Sequence, residues 1–296
     1  MDTDVLVVGE ALIDIVETLD EERELVGGSP ANVAVGLARQ GWRARLLTRL
    51  GRDARGARIA DALKADLVGI DPASWTQLPT STARARLRAD GSAEYEFAIE
   101  WGAPVVAAAG ARAVHTGSIA LFLEPGGTAV LETLRAAAGT ALVSVDPNIR
   151  PALVGEHEAA LTRFADAAAS ADLVKLSDED AAWLYPGLAA EQVLDRIAGY
   201  GPRLVVMTRG ADGLIGRGPG GFAEVPPLKV VVADTIGAGD AAMASLISSA
   251  LDDAAVFDDP AAFEAALRRA AVTAGITVSR AGANPPSRAE VDARLG

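Results

Sequence analysis

The sequence predicts an α/β protein built on a mostly parallel sheet. Three observations carry this. Short apolar runs end in glycine or a polar residue, as in Val5-Leu6-Val7-Val8-Gly9; helix-length segments with capping residues separate them; and small, acidic or amide residues gather at the run ends. Strands alternating with helices imply parallel pairing, with ligands beyond the C-terminal ends of the strands. At 296 residues, half of them hydrophobic, the chain can bury a large core and carry one inserted piece.

Composition removes several function classes. A net charge of −13 opposes a nucleic-acid partner, whose phosphates require a basic face, but leaves a small anion in a local pocket open. Cysteine is absent, so disulfides, thiolate nucleophiles and cysteine-bound metals are excluded. The two histidines, His115 and His157, read as structural or exposed groups. The acidic start Met1-Asp2-Thr3-Asp4 does not resemble a signal peptide, and no apolar stretch reaches the roughly 20 residues of a membrane span. A cytoplasmic protein with no membrane partner is the expectation.

Residues 4–9 read as a buried strand, with Asp14 just beyond it in the apolar stretch Ala11-Leu12-Ile13-Asp14-Ile15-Val16. Asp14 suits either an outward position on an alternating strand or a ligand contact. Gly27-Gly28-Ser29-Pro30-Ala31-Asn32 opens a helix: Ser29 is placed as N-cap, Pro30 as first helical residue and Gly41 as the stop. Capping leaves Asn32 and the paired glycines unexplained; two glycines permit close backbone approach to a ligand.

Residues 45–50 read as a strand and residues 53–67 as a helix. Residues 80–97 then alternate polar and apolar around Ala89-Asp90-Gly91-Ser92, which predicts an antiparallel hairpin. Together with residues 11–26, the stretch 78–104 is expected to form a small β-lid that keeps water from a reactive phosphate. Alternation then resumes. Strands are expected at 114–116, 141–146, 173–176 and 204–208, and helices at 125–138, 157–170, 178–185 and 190–200.

Candidate site residues fall at the strand ends: Asp146-Pro147-Asn148-Ile149-Arg150, Lys175-Leu176-Ser177-Asp178-Glu179-Asp180 and Thr208-Arg209-Gly210-Ala211-Asp212-Gly213. Singly, each is better explained as loop and cap chemistry. Gly216-Arg217-Gly218-Pro219-Gly220-Gly221 matches a dinucleotide fingerprint, but prolines follow it and no helix starts, so a hairpin turn is expected. No P-loop and no nucleophile-elbow motif occurs.

The most informative stretch is Asp234-Thr235-Ile236-Gly237-Ala238-Gly239-Asp240. An apolar run, Val230-Val231-Val232, suggests a strand before it, and an Ala-rich helix follows. A helix start with almost no side chains at Gly237, Ala238 and Gly239 can bring its free amides to an anion. Asp240 then stands where a carboxylate could take a proton from an attacking hydroxyl, the combination that phosphoryl transfer needs. A bare turn with a dipole-favouring acid explains the same residues. Residues 260–279 read as a helix, and Arg280-Ala281-Gly282-Ala283-Asn284-Pro285-Pro286 as a loop.

In order along the chain, Gly9-Glu10-Ala11-Leu12-Ile13-Asp14, the Gly27-Gly28 helix start and the Asp234 to Asp240 run resemble the ribokinase-type (PfkB) carbohydrate kinase family. Asp146-Pro147-Asn148 with Arg150, and the loop from Arg280 to Pro286, look most like its fructokinase members. The resemblance implies a ribokinase-like three-layer sandwich with a small β-lid, a sugar held between them, and ATP with Mg²⁺ and K⁺. It implies Asp240 as base and Gly237, Ala238 and Gly239 as the phosphoryl hole. Asp14, Gly27, Gly28 and Asn32 would hold sugar hydroxyls, with Glu124 and Arg150 as further substrate contacts. Ser177, Thr208, Gly210 and Gly213, with Ala238 and Gly239, would contact the nucleotide. Asp234 with carbonyls near Ile236, Thr277, Arg280 and Gly282 resembles a monovalent-cation loop.

One departure from the family pattern is visible. Many members carry Asn-x-x-Glu where this chain has Ser177-Asp178-Glu179-Asp180, so Asp180 and Glu179 compete as the Mg²⁺-orienting carboxylate. The implied activity is ATP-dependent phosphorylation of a primary sugar hydroxyl, fructose first and 2-keto-3-deoxygluconate or a nucleoside second. Readings from other classes are a non-catalytic sugar-binding module and a nicotinamide oxidoreductase. A homodimer through the lid is a further expectation.

Overall fold

The computed structural model describes residues 3–18, 21–87, 93–102, 104–105 and 110–296. In chain order the elements are β1 (Val5–Val8), β2 (Leu12–Glu17), β3 (Glu22–Gly27), α1 (Ser29–Arg39), β4 (Ala44–Leu47), β5 (Leu50–Gly51), α2 (Ala54–Ala65), β6 (Gly69–Ile70), β7 (Trp75–Thr76), β8 (Thr82–Leu87) and β9 (Ala93–Ala98). There follow β10 (Ala113–Gly117), α3 (Ile119–Phe122), α4 (Gly126–Ala137), β11 (Leu142–Asp146), α5 (His157–Ala168), β12 (Leu173–Ser177), α6 (Asp178–Leu184), α7 (Ala190–Ala198) and β13 (Leu204–Thr208). The chain ends with β14 (Leu214–Gly218), β15 (Gly221–Val225), α8 (Ala238–Asp252), α9 (Pro260–Val278) and α10 (Arg288–Leu295).

A nine-stranded sheet in the order β15-β14-β13-β12-β11-β10-β1-β4-β6 forms the centre. Its strands from β13 through β6 pair in parallel, and β14 and β15 add antiparallel at one edge. Both faces are covered, as near-continuous apolar strands require. Val5 and Val7 join one core with side chains of α1, α2, α8 and α9, while Leu6 and Val8 join the other with side chains of α3, α4, α5 and α7. The architecture is therefore the expected α/β three-layer arrangement. A separate four-stranded sheet, β3-β2-β8-β9, stands over one end of it, with β2 and β8 parallel. The turn Ala89-Asp90-Gly91-Ser92 between β8 and β9 lies outside the described residues.

Two local readings change. Residues 230–232 form no strand: the backbone after Pro226 and Pro227 runs against the end of α9, where the amides of Ala233 and Asp234 donate to the Val278 carbonyl, and Val231 is 89% exposed. Ser29 is not the cap of α1. Gly28 takes that position at φ 111°, and no side chain caps the helix. The Gly41 stop is as expected, at φ 93°, and Pro219-Gly220 turns the β14–β15 hairpin. Beyond the Pro285-Pro286 loop, α10 adds a helix unforeseen in the sequence, started by a Ser287–Glu290 capping box.

Candidate active site

Helix α8 starts because Gly237 adopts the left-handed conformation, φ 76°, which a side chain would disfavour; a Cβ there would also stand 2.7 Å from that of Ala283. The turn delivers Gly237, Ala238, Gly239 and Asp240 to the edge of a cleft of about 1430 Å³. Across it lie the four-stranded sheet, the start of α1 and the C-terminal ends of β10, β11, β12 and β13. Asp240 is fixed on both oxygens. Ser29 Oγ donates to its Oδ1 at 2.6 Å and Asn32 Nδ2 to its Oδ2 at 2.8 Å.

Behind the helix start is Lys175, which the sequence places in a candidate strand-end segment without assigning it a role. Lys175, on the buried strand β12, donates from Nζ to Asp146 Oδ2 at 2.7 Å, and a Cβ on Gly239 would come within 2.9 Å of that Nζ. Burial opposes its charge, but Asp146, Asp180 and Asp240 outweigh that and hold it protonated. The available signal was a lysine inside the apolar run Leu173-Val174-Lys175-Leu176.

Asp14, Gly27 and Gly28 meet on the far wall. A Cβ on Gly27 would stand 1.9 Å from Asp14 Oδ2, so the glycine is what allows that carboxylate its place. Burial raises the Asp14 pKa, with Arg150 pulling the other way. Glu10 lies at the same end, 5% exposed, its carboxyl pushed up to about 8 by burial, and its Oε2 has no hydrogen-bond partner. Ser118 and Asn148, both at positive φ without being glycine, line the cleft beside it.

Among the remaining candidates, Arg150, Ser177, Glu179, Asp180, Thr208, Gly210, Gly213, Ile236 and Gly282 line the cleft. Several are already engaged. Ser177 Oγ accepts the Asp180 amide, and Asp180 accepts the Ile149 amide at 2.6 Å and the Ser177 amide at 2.9 Å, so both carboxylate oxygens serve the turn. Glu179 is exposed on the wall instead. Gly213 is required by sheet packing, since a Cβ would stand 2.2 Å from the Val225 carbonyl oxygen. Asp234 accepts the amides of Ile236 and Gly282 at 3.0 and 2.9 Å, which hold its pKa down. Thr277 Oγ1 donates to the Thr273 carbonyl within α9, and Arg280 pairs with Glu290.

Glu124 does not reach the cleft. Its carboxylate takes the Thr128 hydroxyl at 2.8 Å and pairs with Arg163, which removes it as a sugar contact. Among the described residues no cluster of three or more acidic, histidine or cysteine side chains could hold a metal, and no helix is long and apolar enough to cross a membrane.

Comparison with known proteins agrees with the family resemblance and the fold. A profile described as pfkB family carbohydrate kinase matches residues 2–290. A fructokinase from Rhizobium leguminosarum bv. trifolii is 33% identical over 262 residues, covering 83% of this chain and 79% of its own. The structure of a fructokinase from Xylella fastidiosa with bound ATP superposes with a TM-score of 0.87 at 28% identity, covering 98% of this chain and 97% of that one. A double mutant of fructokinase from Vibrio cholerae O395, bound to fructose, ADP and potassium, gives 0.82 at 26% identity over the whole of both chains. The chain belongs to the pfkB family of carbohydrate kinases.

Proposed function

We propose that this chain transfers the γ-phosphoryl group of ATP to a primary hydroxyl of fructose. The observation that carries the reading is the meeting of Asp240 with the open helix start Gly237-Ala238-Gly239 and the Lys175 ammonium at one point of the cleft. The sugar hydroxyl oxygen forms a bond to the γ-phosphorus, the bond from that phosphorus to the bridging oxygen breaks, and ADP leaves. The hydroxyl proton goes to the Asp240 carboxylate. Amides of residues 237–239 and the Lys175 charge offset the negative charge of the transferring group.

Asp14, Gly27, Gly28 and Asn32 are the sugar side of the reading, with Arg150 at its edge. The four-stranded sheet serves as the lid, and the two arginines of its strand β8, Arg84 and Arg86, are held by Glu17, Glu22 and Glu96. Thr208, Gly210 and Gly213 lie on the nucleotide side. Mg²⁺ would supply charge neutralisation on the phosphates, and Glu179, exposed on the cleft wall, would be the orienting carboxylate, since each Asp180 oxygen already accepts a backbone amide that fixes it to the turn. Asp234 ties the loops of Ile236 and Gly282, which with carbonyls of Thr277 and Arg280 would hold K⁺ in this reading.

An ADP-release panel of fructose, 2-keto-3-deoxygluconate, ribose and nucleosides, with Mg²⁺ and with or without K⁺, tests the assignment. Fructose should give the highest kcat/KM, and K⁺ should raise it. The exposed Arg150 guanidinium on the cleft wall favours the acidic ketodeoxygluconate as second reading, and preference for that sugar would replace fructose.

A further inference from the structure

Helix α1 and the turn that follows it lie against α8 along a ladder of three rungs, the first two on α1 and the third at Trp42 just beyond its end. At the first, Ser29 and Asn32 each donate to one oxygen of Asp240. At the second, Gly36 meets Ala244 so closely that a Cβ on the glycine would stand 2.7 Å from the alanine methyl. At the third, Trp42 Nε1 donates to Ser248 Oγ at 2.9 Å. Positions 240, 244 and 248 share one face of α8 at four-residue spacing, and 29, 32 and 36 share one face of α1.

Ser29 would ordinarily be read as the helix cap, yet Gly28 is the cap and no side chain fills that role. The hydroxyl is turned to Asp240 instead, where it donates to the carboxylate oxygen that it meets at 2.6 Å. With one donor on each oxygen, the carboxylate plane is fixed from two sides and each oxygen keeps a lone pair for a further proton. We infer that Ser29 is a positioning residue for Asp240, and that the Gly36–Ala244 contact sets the helix separation at which it can act. The inference rests on the reading of Asp240 as base.

Ser29→Ala is expected to lower kcat by about 10- to 100-fold, the scale of a small misplacement of a catalytic group, with the KM for sugar and for ATP within about twofold of the parent. Ser29→Thr, which returns the hydroxyl, should restore most of the loss. Gly36→Ala should also lower kcat, and Gly36→Ala combined with Ala244→Gly should recover it by moving the methyl from one helix to the other. If Gly36→Ala does not fold, the Ser29 pair decides the matter. Unchanged kcat in Ser29→Ala, or no recovery in Ser29→Thr, overturns the positioning role. Asp240→Asn run beside them separates the two claims: if it loses turnover while Ser29→Ala keeps it, the base reading stands and the positioning role falls. If Asp240→Asn keeps turnover, the base reading itself falls.

Discussion

Lys175 and Asp146 form a buried ion pair, 2.7 Å from Nζ to Oδ2, directly behind Gly239. Their side chains are 4% and 1% exposed, so both charges are almost wholly withdrawn from water. His115 lies in the same buried layer, hydrogen-bonded to Ser144 at 3.0 Å, and burial with the nearby Lys175 charge pushes its pKa down to about 3. The layer thus carries one fixed positive charge, on Lys175, close to the proposed phosphoryl hole.

Breaking that pair from one side should be costly. Asp146→Asn removes the carboxylate hydrogen-bonded to the ammonium, leaving Asp180 and Asp240 as its remaining counter-charges, and is expected to reduce the free energy of unfolding by about 3–5 kcal/mol. The double change Asp146→Leu with Lys175→Met should cost less stability than the single one while abolishing turnover. Urea unfolding of the three proteins checks the order, and a single variant as stable as the parent would contradict it.

Glu10 gives stability a pH dependence. Its folded pKa, about 8, lies above the ordinary 4.5 because burial penalises the charged form. The folded chain therefore holds a proton that the unfolded chain releases, and this contribution is complete below pH 4.5 and lost as pH rises through 8. The loss approaches about 1.4 kcal/mol per pH unit across that window. Glu10→Gln should remove the slope, so the stability difference between variant and parent should grow from pH 5 to pH 8.5 in urea unfolding. A constant difference would contradict the account.

Gly27→Ala should displace the Asp14 carboxylate, since the added Cβ would stand 1.9 Å from its Oδ2. The expected result is a rise in sugar KM of about tenfold or more, with the KM for ATP little changed, as for the loss of one charged hydrogen bond. Steady-state kinetics with each substrate varied separately would show it.

The two acids at the start of α6 should separate by what they do. Asp180→Ala strips two amides of their acceptor and should cost about 1–3 kcal/mol of stability. Glu179→Gln should leave stability near the parent and raise the Mg²⁺ concentration for half-maximal rate. Thermal melts and Mg²⁺ titrations of both variants check the division, and the reverse pattern would return the metal role to Asp180.

Much of this was legible in the sequence, for reasons particular residues make plain. Strands such as Val5–Val8 and Leu204–Thr208 are buried on both faces, so their apolar runs mark them, and Gly237 and Gly41 mark helix ends that only positive φ can make. Residues 230–232 misled because an apolar run says nothing of the prolines and the α9 carbonyl that draw it away from the sheet. Ser29 looked like a cap because its real partner, Asp240, lies 211 residues away. Glu124 and Asp180 looked available because their partners, Arg163 and the Ile149 amide, are brought to them only by the fold. Local chemistry was readable; the sharing of side chains between distant segments was not.

The central claim is that Asp240 takes the proton of the attacking hydroxyl. Asp240→Asn keeps the size of the side chain and much of its contact with Ser29 and Asn32 while removing the base. Measured as sugar-dependent ADP release at saturating substrates, its turnover should fall by at least about 10²- to 10⁴-fold, with sugar binding by calorimetry retained. Near-parental turnover in that variant would contradict the account.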